Sequence, residues 1–189
     1  GWSVYNTRYF GGFISNFRVV NGVAVYTSSF TLPTAIFGAT QSANTNGNPS
    51  AAITGTQTSL LTCQSTTMID NSTNSYAITV SGTPKVSTHN PFNQTISTGV
   101  SYSTSINGGS GYFNGSTDYV SATIPSAFGT SDFTIECWLY KTSAWSSSNQ
   151  TIFGPSSNTT NSSIKTNSTN NTVVNPPKVI KPPVKTGAS

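Results

Sequence analysis

With 189 residues, the chain has room for one domain with a substantial core or for two small ones. Only 6% of its residues are charged, against roughly 25% in an average globular protein. The formal charge of +4 misleads: four of the eight basic residues (Lys165, Lys178, Lys181 and Lys185) sit in the C-terminal tail, and no dense basic patch of the kind nucleic-acid binding needs is present.

Ser, Thr, Asn and Gly fill most of the chain, with many β-branched residues and regular turn residues between them. That mix predicts an all-β fold, and aromatics at 11% supply material for a core. No apolar run reaches the roughly 18 residues of a membrane-spanning helix, so no membrane partner is expected. The chain begins at Gly1, in what already reads as folded sequence, and is taken as processed, truncated or partial. Cys63 and Cys137 are too few for a disulfide framework, although a single bridge between them is open in an oxidising setting.

Residues 1–34 read as aromatic-rich β structure. Phe13, Phe17 and Val19 are placed on one strand face, with Asn16 and Arg18 facing away. Asn21-Gly22 is a turn dipeptide. Val23 to Tyr26 is a return strand or a short irregular segment covering the sheet, and Pro33 closes the unit. Residues 35–58 are weakly periodic and read as a linker or loop within a connector spanning 35–110. Inside that connector, residues 59–63 form a short apolar run, 70–74 a turn cluster, and Tyr76, Ile78 and Val80 alternate as a strand that turns at Gly82-Thr83-Pro84.

Residues 111–145 carry the clearest pattern. Asn114-Gly115 marks a tight turn. From Asp132 to Tyr140, Phe133, Ile135, Cys137 and Leu139 point one way, while Thr134, Glu136, Trp138 and Tyr140 point the other. Strict alternation predicts a strand with one face in a core. Residues 146–189 form a Ser/Thr/Asn- and Pro-rich tail. Residues 146–175 look too polar to offset their ordering entropy, and 176–185 favour extended polyproline II. The tail is a linker, or an arm that packs onto a neighbouring subunit.

Gly111, Tyr112, Phe113, Gly115, Asp118 and Tyr119, followed by Phe133, Thr134, Ile135, Glu136 and Trp138, resemble the opening strands of laminin-G-like, concanavalin-A-like jelly-roll modules. The elements at 12–20 and 24–33 look like the closing strands of the same family. The segments at 58–64, 70–80 and 91–92 are similar to the connector between such modules in tandem-repeat structural or fibre proteins of marine bacteriophages. The resemblance covers about residues 8–140. It implies an antiparallel β-sandwich of jelly-roll type, made of partial or permuted modules with an extended C-terminal tail. The order is unusual: closing strands, connector, opening strands. The chain is then a piece of a longer array, or its two halves complete one sheet, or neighbouring subunits supply strands; bare edges favour some partner covering them.

Candidate chemistry is sparse. Glu136, Trp138 and Tyr140 share a strand face, Trp145 follows, and aromatic faces beside polar groups suit glycan binding; the same face also suits the second covered side of a sandwich. Asp70, Asn71 and Asn74, with Asp118 and Asp132, offer oxygen ligands for calcium, the one cofactor considered, against a reading as ordinary Asx turns. His89 reads as a solvated loop histidine, and nothing resembles a nucleophile elbow. Sequons such as Asn71, Asn114, Asn158 and Asn167 matter only in a eukaryotic secretory setting.

The expected function is that of a non-enzymatic virion structural, fibre or decoration protein. Its expected partners are copies of itself or neighbouring virion subunits, and surface glycans. The alternatives are a bacterial extracellular adhesin or carbohydrate-binding module, and a fragment of a concanavalin-like glycosidase using Glu136.

Overall fold

The computed structural model describes residues 9–44, 50–92, 108–125, 131–142, 150–154 and 164–166. The described residues hold nine strands and no helix: β1 (Gly11–Asn21), β2 (Thr58–Thr62), β3 (Ile78–Ser81), β4 (Lys85–Ser87), β5 (Ser110–Asn114), β6 (Tyr119–Ala122), β7 (Phe133–Lys141), β8 (Gln150–Phe153) and β9 (Ile164–Thr166). The all-β, antiparallel expectation is met.

β1 is the central strand. One of its edges pairs with β7 along nearly its whole length, from Gly12 opposite Lys141 to Asn21 opposite Phe133. The other edge is shared: β5 takes Gly11 to Ile14 and β2 takes Phe17 to Val20. β4 extends the sheet beyond β5. The N-terminal and central parts of the chain therefore complete one five-stranded sheet.

The pairing explains a departure from simple alternation. Between Ser15 and Arg18 the register against β7 shifts: Ser15 faces Trp138 and Arg18 faces Glu136, so β1 carries one residue more than its partner. Asn16 adopts φ 53, a left-handed conformation that Asn tolerates better than most residues. Such a bulge flips the residues beyond it to the other face. Ile14 precedes it and Phe17 and Val19 follow it, yet all three lie in the same core cluster. Phe13 is consequently on the opposite face from Phe17 and Val19, which corrects the grouping by alternation. Asn16 pins the bulge by accepting hydrogen bonds at its side-chain oxygen from the Phe37 N–H (2.9 Å) and from Gln64 Nε2 (2.8 Å).

The first face of the sheet holds the main core: Phe10, Ile14, Phe17, Val19, Leu60, Cys63, Phe113, Ile135 and Cys137. Ile78 of β3 and Val120 and Ala122 of β6 pack against it. β3 and β6 pair with each other as a separate two-stranded sheet, so the arrangement is sandwich-like. The turn at Gly82 (φ 76) carries the chain from this small sheet back to β4 in the large one. The turn at Gly115 (φ 76) makes the reverse crossing, from β5 to β6. A tight turn between two strands of one ladder is thus not what Asn114-Gly115 makes here.

The second face is covered by irregular chain. Val25 and Tyr26 join Val20 and Ile53 in one buried cluster, and Phe37 joins Leu61, Phe92 and Trp138 in another. Of the two readings of Val23 to Tyr26, the irregular cover is the one observed. The described residues of 35–57 are likewise packed on the sheet as a lid rather than a passive linker, held by bridges between Gln41 and Ile53 and between Asn44 and Ser50.

The tail also differs from its polar reading. β8 pairs with β9, Ile152 and Phe153 pack on the main core, and the Phe153 ring lies 5.8 Å from that of Phe17. Two adjacent apolar residues suffice to dock a strand that is otherwise polar. The Pro-rich stretch 176–185 lies outside the described residues.

Cys63 and Cys137 are both free and buried in the main core. Burial pushes their thiols up to about 11 and about 12 respectively. The reactive species is the thiolate. Both cysteines are therefore expected to resist a thiol reagent at pH 8 in the folded chain and to react fully in denaturant. Mass spectrometry after alkylation reads this directly, and rapid labelling of the native protein would contradict the packing described.

Candidate functional site

The four residues first considered for glycan contact separate in the structure. Glu136 is fully buried; its Oε1 accepts from Arg18 Nε at 2.6 Å, and Arg18 Nη2 lies 2.5 Å from the same oxygen. Trp138 is buried beneath the lid, edge-on to Phe92 with ring centroids 5.9 Å apart. Trp145 falls outside the described residues. Tyr140 alone is on the surface, 48% exposed.

Tyr140 is not isolated. The register places Lys85 opposite Tyr112, Tyr112 opposite Phe13, and Phe13 opposite Tyr140. Residues directly opposite in an antiparallel ladder project on the same face. These four side chains therefore form one row across β4, β5, β1 and β7. The ring centroids of Tyr112 and Phe13 are 5.0 Å apart, and those of Phe13 and Tyr140 are 6.1 Å apart. His89 adjoins the row, tilted against two of its rings, 4.8 Å from Phe13 and 5.0 Å from Tyr140. It is the exposed loop residue expected, and its ring also packs against the aromatic row.

Among the described residues, the lid stops short of this row. Thr134 bonds the lid backbone at Val23 and Val25, and Arg18 donates to the Gly38 carbonyl and to the Gln41 side-chain oxygen. Among the described residues the cover ends over Trp138, and the next residue on that face is Tyr140. Alternation along 132–140 pointed to Tyr140. It could not find Phe13, Tyr112, His89 or Lys85, which come from three other parts of the chain. The Asn16 bulge hides Phe13 further by putting it out of phase with Phe17.

The oxygen-bearing residues considered for calcium serve the backbone. Asp70 is buried and accepts from the N–H groups of Leu61, Ser72 and Tyr76 and from the Ser72 hydroxyl, at 2.8–3.0 Å. Asn71 donates its N–H to the Leu61 carbonyl, and the Asn74 amide donates to the carbonyls of Thr58 and Ser59. Asp118 accepts from the Thr83 and Asn114 N–H groups, bracing the two turns that link the sheets. Hydrogens, not lone pairs, face these carboxylates. Asp132 is exposed just before β7. Among the described residues no three His, Cys, Asp or Glu side chains converge as a metal site.

A surface cleft of about 310 Å³ opens near the far end of β1, bordered by Asn21, Gln57, Asn74 and Tyr76. Its lining includes no carboxylate, histidine or cysteine. No helix among the described residues is long and apolar enough to cross a membrane. Comparison with models of protein families, with curated proteins and with solved structures finds no match to this chain.

Proposed function

We propose that the chain is a non-enzymatic structural module of an extracellular assembly, a virion surface or fibre in the first instance, that touches surface glycans through the Tyr112–Phe13–Tyr140 row. The jelly-roll, phage and virion parts of this reading rest on the sequence resemblance. The glycan part rests on one observation: three aromatic rings in a line on a sheet face, with His89 against two of them. Aromatic faces present apolar area at low entropic cost and carry polar groups at their tips, which suits the mixed surface of a pyranose. The low charge and the abundance of Ser, Thr and Asn suit water-tolerant packing against copies or neighbours.

The same row serves an adhesin or carbohydrate-binding module equally well, and location separates the two. Antibody to residues 59–92, imaged on intact particles and on cells by electron microscopy, is expected to label virions or their appendages at regular positions. Label on cell surfaces with bare virions would move the adhesin to first place. A glycosidase using Glu136 finds no support in a carboxylate sealed against Arg18.

Tyr140→Ala tests the row itself. An exposed aromatic anchor at a contact surface is worth more than about 1.4 kcal/mol, so retention on immobilised glycan should fall at least about tenfold. The thermal midpoint should move little, because Tyr140 is half exposed. Unchanged retention would remove the row from the function.

A further inference from the structure

The row has a charge as well as a shape. Lys85 stands at its β4 end, on the same face as the rings, and is exposed. The neighbouring imidazole of His89 is exposed too, with its backbone N–H held by the Ser87 hydroxyl at 3.1 Å. The acidic side chains are buried or distant. Asp70, Asp118 and Glu136 are buried. Asp132, the one exposed acid of the chain, precedes the opposite end of β7 from Tyr140, roughly 27 Å away along the strand. A lysine on an edge strand commonly guards against edge-to-edge pairing. That role explains Lys85 by itself, but not its alignment with three rings on a face whose one acid, Glu136, is sealed against Arg18.

We infer that the row takes a carboxylate-bearing pyranose polymer, with sugar rings on Tyr112, Phe13 and Tyr140 and a uronate carboxylate on Lys85. This rests on the glycan reading given above and narrows it to one class. The separations of 5.0 and 6.1 Å between successive rings are on the scale of one sugar unit, so adjacent residues of a chain could each meet a ring. Lys85 springs from β4, one strand spacing beyond Tyr112, roughly 5 Å further. A linear polymer laid across the strands meets rings first and the cation last.

The test is affinity electrophoresis of the full chain in gels containing polygalacturonate or the same backbone fully methyl-esterified. Wild type is expected to be retarded by polygalacturonate, less by the ester, and the difference should shrink with salt. Lys85→Gln should weaken polygalacturonate binding about three- to fivefold, the size of an exposed ion pair, and leave the ester unaffected. Tyr140→Ala should weaken both. Equal retardation by acid and ester, unmoved by Lys85→Gln, would overturn the carboxylate inference and leave the glycan reading standing. No retardation in either gel would overturn both. Thermal midpoints equal to wild type show that each variant is folded.

Discussion

Arg18→Ala is expected to destabilise the chain by about 3–5 kcal/mol, a large part of a typical domain's total stability. Arg18 is 1% exposed and Glu136 fully buried, so removing either partner strands a charge in the interior. The geometry is also one-sided. Arg18 Nε and Nη2 both approach Glu136 Oε1, while Oε2 has no hydrogen-bond partner among the described residues. Burial therefore pushes the Glu136 carboxyl above the usual carboxylate range, and Arg18 offsets only part of that push. The Tyr26 phenol is raised as well, by burial and then by Glu136.

Two consequences follow from that direction. Since desolvation outweighs attraction, the double change Arg18→Met with Glu136→Leu should cost much less than either single truncation. Urea unfolding of the two single truncations, Arg18→Ala and Glu136→Ala, and of this double variant reads the coupling; a double variant as unstable as the worse single one would mean that the pair itself stabilises. The pH dependence has a definite sign. The unfolded carboxyl titrates near 4.3, roughly, and the folded one higher, so between them the folded state holds more protons. The Glu136 contribution should therefore lower stability as pH rises through that window, and Glu136→Gln should flatten the slope. Arg18 also clamps the lid, through Gly38, Gln41 and the Phe37 ring 4.6 Å from its guanidinium. Its loss should expose Trp138, seen as a red shift in fluorescence before global unfolding.

Gly12→Ala is the second large effect. Gly12 has φ 147, and a Cβ there would overlap the Tyr140 carbonyl oxygen and lie 3.0 Å from Lys141 Cα. Both obstacles are backbone of β7, which cannot rotate away. Backbone strain and forced separation of β1 from β7 should together cost about 3 kcal/mol or more. Gly22→Ala is the internal control. Its φ is 80, but nothing lies within 4 Å of the added methyl, so only the left-handed strain of about 1–2 kcal/mol remains. Similar unfolding midpoints for the two variants would contradict the close β1–β7 approach.

The sequence alone determined the strand read at Asp132–Tyr140, observed as Phe133–Lys141, and the strand pair that opens at Gly111. The faces of β7 were also legible, because strand alternation is a local steric rule that tertiary contacts rarely override. Ile135, Cys137 and Leu139 do face the main core, and Glu136, Trp138 and Tyr140 do share the other face. What that other face meets was not legible. Its cover is a stretch with almost no periodicity, residues 22–44 and 50–57, whose order comes from long-range bonds such as Arg18 to Gln41 and Thr134 to Val23. Only the tertiary structure decided that Glu136 is sealed in and Tyr140 is left outside. It alone could assemble the candidate site, since Phe13, Lys85, His89, Tyr112 and Tyr140 are gathered by strand register. Register follows from pairing between distant segments and from one bulge at Asn16, and a one-residue shift there moves every later side chain to the opposite face.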